Sequence, residues 1–211
     1  DNGKSWTKPV LFSGKESTED GKFTSFNNQN PFVIRTKANE VMVAWERSPF
    51  YSTNGDIYFA LMSDTGAFKG KIEKISSTGF SSKPQLFEFE DSVNLTWFTT
   101  SKGNQNVYLA QKKGAWWEDA TMISTNQAQL PSAFYTNHGK ELSFVWEETD
   151  LKTGKNGIAI LATDHSVQKP KAIPVNFKNG QRSRQAKLQT GLEGTPDSSG
   201  IKGFSWIWTQ N

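Results

Sequence analysis

A short phrase in which apolar residues alternate along the chain and end in tryptophan occurs four times. The copies end at Trp45, Trp97, Trp146 and Trp208, so successive tryptophans are 52, 49 and 62 residues apart. Such alternation indicates a β-strand with one buried face. A self-similar unit of about 40 to 50 residues is the period of a β-propeller blade. The repeat therefore predicts an all-β protein built of propeller blades.

Each unit places the tryptophan phrase second among four short strands that are separated by turn residues. This order assigns complete blades to residues 31–76, 83–125 and 130–175, partial blades to 1–13 and 184–211, and a loop to 14–30. About four repeats are thus visible in a single domain or domain segment. We predict that Trp45, Trp97 and Trp146 are equivalent, each on a second strand and each largely buried.

The composition fits this architecture and excludes several classes of function. Aromatic residues make up 13% of the 211 residues, and the mean hydropathy is −0.63, as expected for buried rings and polar loops. The net charge of +3 comes from 24 basic and 21 acidic residues scattered along the chain, which argues against nucleic-acid binding. The chain has no cysteine and therefore no disulfide, thiolate metal site or cysteine nucleophile. No apolar run reaches the roughly 18 residues that span a bilayer.

The first nine residues carry the sharpest motif. The segment from Asp1 to Trp6, followed by Pro9, resembles the Asp-box, or BNR repeat, of sialidase-like β-propellers. In that family the motif lies on the turn between the third and fourth strands, on the face opposite the ligand, and six blades are usual. The resemblance implies part of a six-bladed ring. It also implies a structural role, a buried ring and a self-bonded turn, for Asp1, Gly3, Trp6 and Asp64.

The resemblance also indicates where a ligand would bind. In this family the loops between second and third strands, and between successive blades, form the ligand face. The second strands of this chain end there in charged residues, and the loop before the fourth unit adds two arginines. We therefore expect ligand contacts from Arg35, Glu46, Arg47, Glu147, Glu148, Asp150, Arg182 and Arg184. Arginine suits carboxylate recognition because its planar guanidinium forms two parallel hydrogen bonds.

The match to an active sialidase is poor. The family's sialidases use three arginines, a tyrosine nucleophile paired with glutamate, and an aspartic acid. Arg35 stands near the family's Arg-Ile-Pro signature, but Thr36 follows it. Tyr58 and Tyr108 fall on third strands, whose side chains pack between blades, so we assign no catalytic residue. His138 and His165 fall in turns without metal-ligand spacing, and we expect no metal and no cofactor.

We therefore expect an extracytoplasmic binding or scaffold module that recognises a glycan or a protein partner and is not catalytic by itself. The alternative is an exo-sialidase or related glycoside hydrolase whose remaining catalytic residues lie outside this segment. A structural component of a surface assembly is a third possibility. An enzyme needs converging carboxylates or arginines, a glycan binder needs exposed aromatic rings beside polar groups, and a protein scaffold needs a broad apolar patch.

The ends of the chain do not fall at blade boundaries in this assignment. The terminal blade that both ends would form lacks its third strand, which leaves an unpaired strand edge. We therefore expect residues 1–211 to be a segment of a longer polypeptide, or a strand of another chain to fill the gap.

Overall fold

The computed structural model describes residues 15–17, 23–90, 92–124, 126–136, 141–154, 156–163, 172–175, 184–188 and 206–209. The regular secondary structure of these residues consists of sixteen β-strands. They are β1 (Lys15–Ser17), β2 (Phe23–Arg35), β3 (Val41–Pro49), β4 (Asp56–Met62), β5 (Phe68–Lys74), β6 (Ser81–Phe89), β7 (Ser92–Ser101), β8 (Asn104–Lys113), β9 (Trp116–Trp117), β10 (Thr121–Met122), β11 (Gln127–Thr136), β12 (Glu141–Thr149), β13 (Asn156–Thr163), β14 (Ala172–Val175), β15 (Arg184–Leu188) and β16 (Trp206–Thr209).

These strands form antiparallel sheets whose strand order follows the sequence. Blade 1 comprises β2 to β5, with β1 added beside the first residues of β2. Blade 2 comprises β6 to β8 and an outer strand that is split into β9 and β10, both of which pair with β8. Blade 3 comprises β11 to β14, and β15 pairs with β16. The prediction of an all-β chain of four-stranded antiparallel blades is confirmed.

The tryptophans are equivalent, as predicted. Trp45, Trp97 and Trp146 lie in β3, β7 and β12, each the second strand of its blade. None is more than 3% exposed. Their partners on the third strands are equivalent too: Trp45 faces Tyr58, Trp97 faces Tyr108 and Trp146 faces Ala159 in register.

The hydrophobic core lies between successive blades, because alternate residues of each strand face opposite sides of the sheet. Between blades 1 and 2, Met42, Ile57 and Phe59 pack with Leu95 and Trp97. The core between blades 2 and 3 contains Phe87, Val107, Leu142, Phe144, Trp146, Ala159 and Leu161. Trp97 and Trp146 therefore both face the preceding blade, and Trp45 lies on the equivalent side of blade 1, in a third cluster turned away from blade 2. The repeated phrase is thus a blade-packing signal.

Each first strand contains a one-residue bulge opposite the tryptophan of the second strand. The register shifts between Gln29 and Phe32, between Ser82 and Gln85, and between Gln129 and Ser132. Each bulge contains a proline, at positions 31, 84 and 131. Proline cannot donate to the ladder, so a bulge is where a strand tolerates it. Asn30 and Lys83, which precede two of these prolines, have positive φ angles of 51° and 55°.

The loop predicted over residues 14–30 is wrong where the structure describes it. Residues 15–17 form β1, and residues 23–30 form the first part of β2. The polar run Asn27 to Asn30 has no apolar alternation, but its backbone pairs with the end of β3. Asp1, Gly3, Trp6, His138, His165 and Arg182 lie outside the described residues.

The turn around Asp64 differs from the self-bonded turn expected of it. Ser63 makes the local bonds, because its Oγ accepts from the Ala67 N–H at 3.0 Å. The Asp64 carboxylate instead accepts from Arg35 Nη2 at 2.8 Å. The ring that follows does anchor the turn, since Phe68 stacks on Trp45 with 5.8 Å between centroids.

Candidate functional site

A cavity of about 460 Å³ opens at the end of blade 1 where β3 connects to β4. This is the expected ligand face. The polar residues around the cavity carry only amide or hydroxyl groups, and one aromatic ring joins them. Its lining consists of Phe26, Asn27, Asn28, Gln29, Ser48, Ser52 and Thr53. None of these residues is among the ligand contacts predicted from the sequence.

The amide of Asn28 is held by two donors from β3. Its Oδ1 accepts from Trp45 Nε1 at 2.8 Å and from Arg47 Nε at 2.9 Å. With the oxygen engaged, Nδ2 is the group left to donate to a ligand. The tryptophan phrase therefore has a second role in blade 1, because the buried indole also orients a polar side chain of the cavity.

Glu46 orients the next two amides along β2. Its Oε1 accepts from Gln29 Nε2 at 2.6 Å and its Oε2 from Asn30 Nδ2 at 2.9 Å. The side chain is only 4% exposed, so these amides supply hydrogen bonds that a buried carboxylate requires. The bond to Gln29 leaves its Oε1 as an acceptor at the cavity.

Lys83 links this network to blade 2. Its Nζ donates to Asn30 Oδ1 at 2.9 Å. The two residues occupy corresponding positions in the bulges of consecutive first strands. The contact shows that the bulges of neighbouring blades converge, which is consistent with the tendency of bulges to redirect side chains near functional sites.

Arg47 lies in a cage of aromatic rings. Its Cζ is 4.4 Å from the ring centroid of Phe26 and 5.1 Å from that of Tyr58. The residue is 4% exposed. Such cation–π contacts stabilise a guanidinium that is removed from water. Arg47 thus supports the cavity from beneath, through Asn28 and Phe26.

Large aromatic side chains are exposed on the same face. Phe50 and Tyr51, in the loop between β3 and β4, are 71% and 89% exposed. Phe80, in the connection from blade 1 to blade 2, is also exposed. The two segments meet, because the Ser81 N–H donates to the Gly55 carbonyl at 2.8 Å. Phe50 and Tyr51 immediately precede the cavity residues Ser52 and Thr53 in the same loop.

The acidic residues of blade 3 occupy the corresponding end of β12. Glu147 follows Trp146 as Glu46 follows Trp45. Glu148 accepts from Trp146 Nε1 and Asn126 Nδ2, both at 2.6 Å. The backbone N–H of Lys152 donates to Asp150 at 2.8 Å, and this hydrogen bond lowers the pKa of the Asp150 carboxyl. Asp150 therefore organises its own loop.

The predicted arginines do not form one cluster among the described residues. Arg35 ends β2 beside the β2–β3 turn, so it lies at the opposite end of the sheet from Glu46. It binds Asp64, and this hydrogen bond lowers the pKa of the Asp64 carboxyl. Arg184 begins β15, and Arg182 lies outside the described residues.

Tyr58 and Tyr108 pack against the tryptophans, as expected for third-strand residues. Tyr108 stacks on Trp97 with 5.9 Å between ring centroids, and Tyr58 lies 6.1 Å from Trp45. In the described part of the chain, no group of three or more histidine, cysteine, aspartate or glutamate residues is arranged to hold a metal ion. The same residues include no helix long and apolar enough to cross a membrane.

The sequence matches no protein-family model. No curated protein resembles it in sequence. Solved structures do resemble it in fold. An exo-1,5-α-L-arabinanase from a bovine ruminal metagenomic library is 12% identical, with a TM-score of 0.50 over 75% of this chain and 64% of that one. A glycosyl hydrolase from Bacteroides ovatus is also 12% identical, with a TM-score of 0.51 over 81% and 57% of the two chains.

The fold is that of a β-propeller. The neighbours are propellers of glycoside hydrolases, which are related to sialidase-like propellers, but they do not single out the Asp-box repeat. The chain spans less than two thirds of the length of either structure.

Proposed function

We propose that this protein is a carbohydrate-active propeller of the glycoside hydrolase type that binds a neutral sugar chain at the blade 1 cavity. The observation that carries the proposal is the uncharged lining of amides and hydroxyls, with the exposed rings of Phe50 and Tyr51 on the loop that supplies Ser52 and Thr53. Each sugar hydroxyl both donates and accepts, so it pairs with such groups without desolvating a charge. The glycoside hydrolase propellers of similar fold support the same class of ligand.

The cavity is preorganised for this task. Asn28 and Gln29 are each fixed by partners on β3, so neither amide has to be ordered when a ligand binds. Fixing a flexible polar side chain at an interface otherwise costs about 0.5–1.5 kcal/mol. Holding the two amides in advance thus favours binding, and it explains why Trp45, Glu46 and Arg47 are buried around them.

Hydrolysis needs a pair of carboxyl groups on either side of the glycosidic bond. Glu46 is hydrogen-bonded to the cavity residue Gln29, but the amides of Gln29 and Asn30 occupy both of its carboxylate oxygens. We therefore assign Glu46 the positioning of Gln29 and Asn30. We assign no catalytic carboxylate among the described residues, and the release of reducing ends tests for hydrolysis.

The second candidate is a binding module without catalysis. The observation that favours it is that Glu46, Glu148 and Asp150 are all engaged in hydrogen bonds that organise the site. A sialoside ligand is less well supported, because Arg35 and Arg47 are held at separate places. In either case the extracytoplasmic location expected from the sequence remains part of the proposal.

The experiment is a panel of neutral polysaccharides, which includes linear α-1,5-arabinan, in a binding assay and in an assay for released reducing ends. We expect saturable binding of at least one polymer. Tyr51→Ala and Gln29→Ala should each weaken that binding by about five- to tenfold, the loss of one stacking or hydrogen-bonding contact. Release of reducing ends would identify a hydrolase, and binding without release would identify the binding module.

The matched control is Leu151→Ala, which truncates an exposed residue of the corresponding loop in blade 3. It should leave the affinity unchanged. If no neutral polymer binds, or if the blade 1 variants bind as tightly as the parent protein, the proposed site is wrong.

A further inference from the structure

A larger groove, of about 1200 Å³, lies between blades 1 and 2 on the opposite face from the cavity. The β2–β3, β6–β7 and β8–β9 turns border it, whereas the cavity adjoins the β3–β4 loop. The lining of the groove is charged. The proposed sugar site does not involve this groove, so an inference about it is independent of that proposal.

Lys112 lines the groove from a position that holds an uncharged residue in the other two blades, Met62 in blade 1 and Thr163 in blade 3. In register, Lys112 faces Val93 on β7 as Met62 faces Val41 on β3, so the two residues are equivalent in blades 2 and 1. Met62 belongs to an apolar cluster. Lys112 is only 7% exposed, although it carries a charge. A residue that breaks a local rule of the fold without compensation marks a functional site more often than chance would.

The ammonium group of Lys112 is held by rings and by no acid. Its Nζ lies 5.6 Å from the ring centroid of Phe59 and 5.8 Å from that of Trp117. No carboxylate of the described residues lies within ion-pair distance of it. Trp117 Nε1, beside it, is also buried without an acceptor. Lys112 is thus a charged donor that lines the groove without an acidic partner among the described residues.

Cation–π contacts offset only part of the cost of burying a charge. The remainder is recovered when an anion enters the groove and accepts a hydrogen bond from Nζ. Glu40, Glu73, Glu88 and Glu90 line the groove beside five lysines, Lys112 among them. The lining therefore carries one more positive than negative charge, which a group with a single negative charge balances and a group with several, such as phosphate, exceeds.

We propose that the groove between blades 1 and 2 binds a singly charged carboxylate, which Lys112 recognises through a charge-assisted hydrogen bond. The carboxylate belongs either to a small molecule or to an acidic side chain of a polypeptide. The mixed charges of the walls and the size of the groove suit a ligand with further polar groups around that carboxylate.

Titration of the protein with N-acetylalanine and with its uncharged amide, followed by tryptophan fluorescence and calorimetry, tests the proposal. We expect saturable binding of the acid and at least about tenfold weaker binding of the amide, the loss of one charge-assisted hydrogen bond. Lys112→Met should show the same loss, and Lys113→Met should not. Lys113 is a matched control because it is exposed, lies outside the groove and pairs with Glu118.

Lys112→Met restores the residue of the equivalent position in blade 1, so it should fold and should melt at the same temperature as the parent protein or higher. A lower melting temperature would contradict the claim that this charge is uncompensated. Equal affinity for acid and amide, unchanged binding by Lys112→Met, or no saturable binding would overturn the proposal. A peptide with a single glutamate that binds more tightly than N-acetylalanine would support it and assign the ligand to a polypeptide.

Discussion

The packing of the tryptophan in each second strand explains why the repeat can be recognised in the sequence. Trp97 is 1% exposed, donates Nε1 to Thr99 Oγ1 at 3.1 Å and stacks on Tyr108. A ring of this size contributes a large part of the apolar area buried between two blades. The same strand position must point to the preceding blade in every repeat, so the alternation that ends in tryptophan recurs with the blade.

Replacement of Trp97 by alanine removes the ring, its stacking and its hydrogen bond. We expect the free energy of unfolding to fall by about 3–5 kcal/mol, measured by chemical denaturation. Trp116→Ala is the control, because Trp116 is 65% exposed. It should change the stability by less than about 0.5 kcal/mol. A similar loss in both variants would contradict the packing role of Trp97.

In blades 1 and 2, a serine that follows the outer strand forms hydrogen bonds with the start of the third strand and so joins the two strands. Ser76 Oγ, just after β5, accepts from the Ile57 N–H at 2.9 Å and donates to Asp56 Oδ1 at 2.9 Å. In blade 2, Ser124 Oγ accepts from the Val107 N–H at 3.0 Å and lies 3.5 Å from Asn106 Oδ1. These hydrogen bonds connect the segment after the outer strand with the start of the third strand.

Ser76→Ala should leave the Ile57 N–H without this acceptor while it keeps the backbone conformation. We expect a loss of about 1–3 kcal/mol in the free energy of unfolding, which is typical of an unsatisfied buried group. Ser77→Ala, at the exposed neighbouring position, is the control and should be close to neutral. If both variants have the same midpoint of denaturation, the serine does not join the strands.

The strands that the sequence predicted correctly are those with alternating apolar residues, and the segment it missed has none. Residues 23–30 include Asn27, Asn28, Gln29 and Asn30, and nothing in their local pattern indicates a strand. They are held in β2 by pairing with β3, which is a tertiary effect. The prolines of the bulges could have indicated this strand. Prolines 31, 84 and 131 precede the three tryptophans at similar distances in the sequence, so they mark equivalent positions of the three first strands.

The whole molecule has two faces with different chemistry. The face with the β3–β4 loop carries the neutral cavity and exposed rings, and the opposite face carries the charged groove. The sequence pointed to the first face and to Glu46 and Arg47, which do contact the cavity residues. It missed Asn28 and Gln29 because they were assigned to a loop. It also missed Lys112, whose burial depends on the packing of blade 1 against blade 2.

Binding of a neutral sugar at the blade 1 cavity can be located by amide-resolved NMR during titration with the best-binding polymer of the panel. We predict that the side-chain amide signals of Asn27, Asn28 and Gln29, and the backbone signals of residues 48 and 52–53, shift saturably. Signals of residues 112–115, at the opposite face, should not move. Shifts confined to the opposite face, or spread over the protein without saturation at the cavity, would show that the sugar does not bind at the blade 1 cavity.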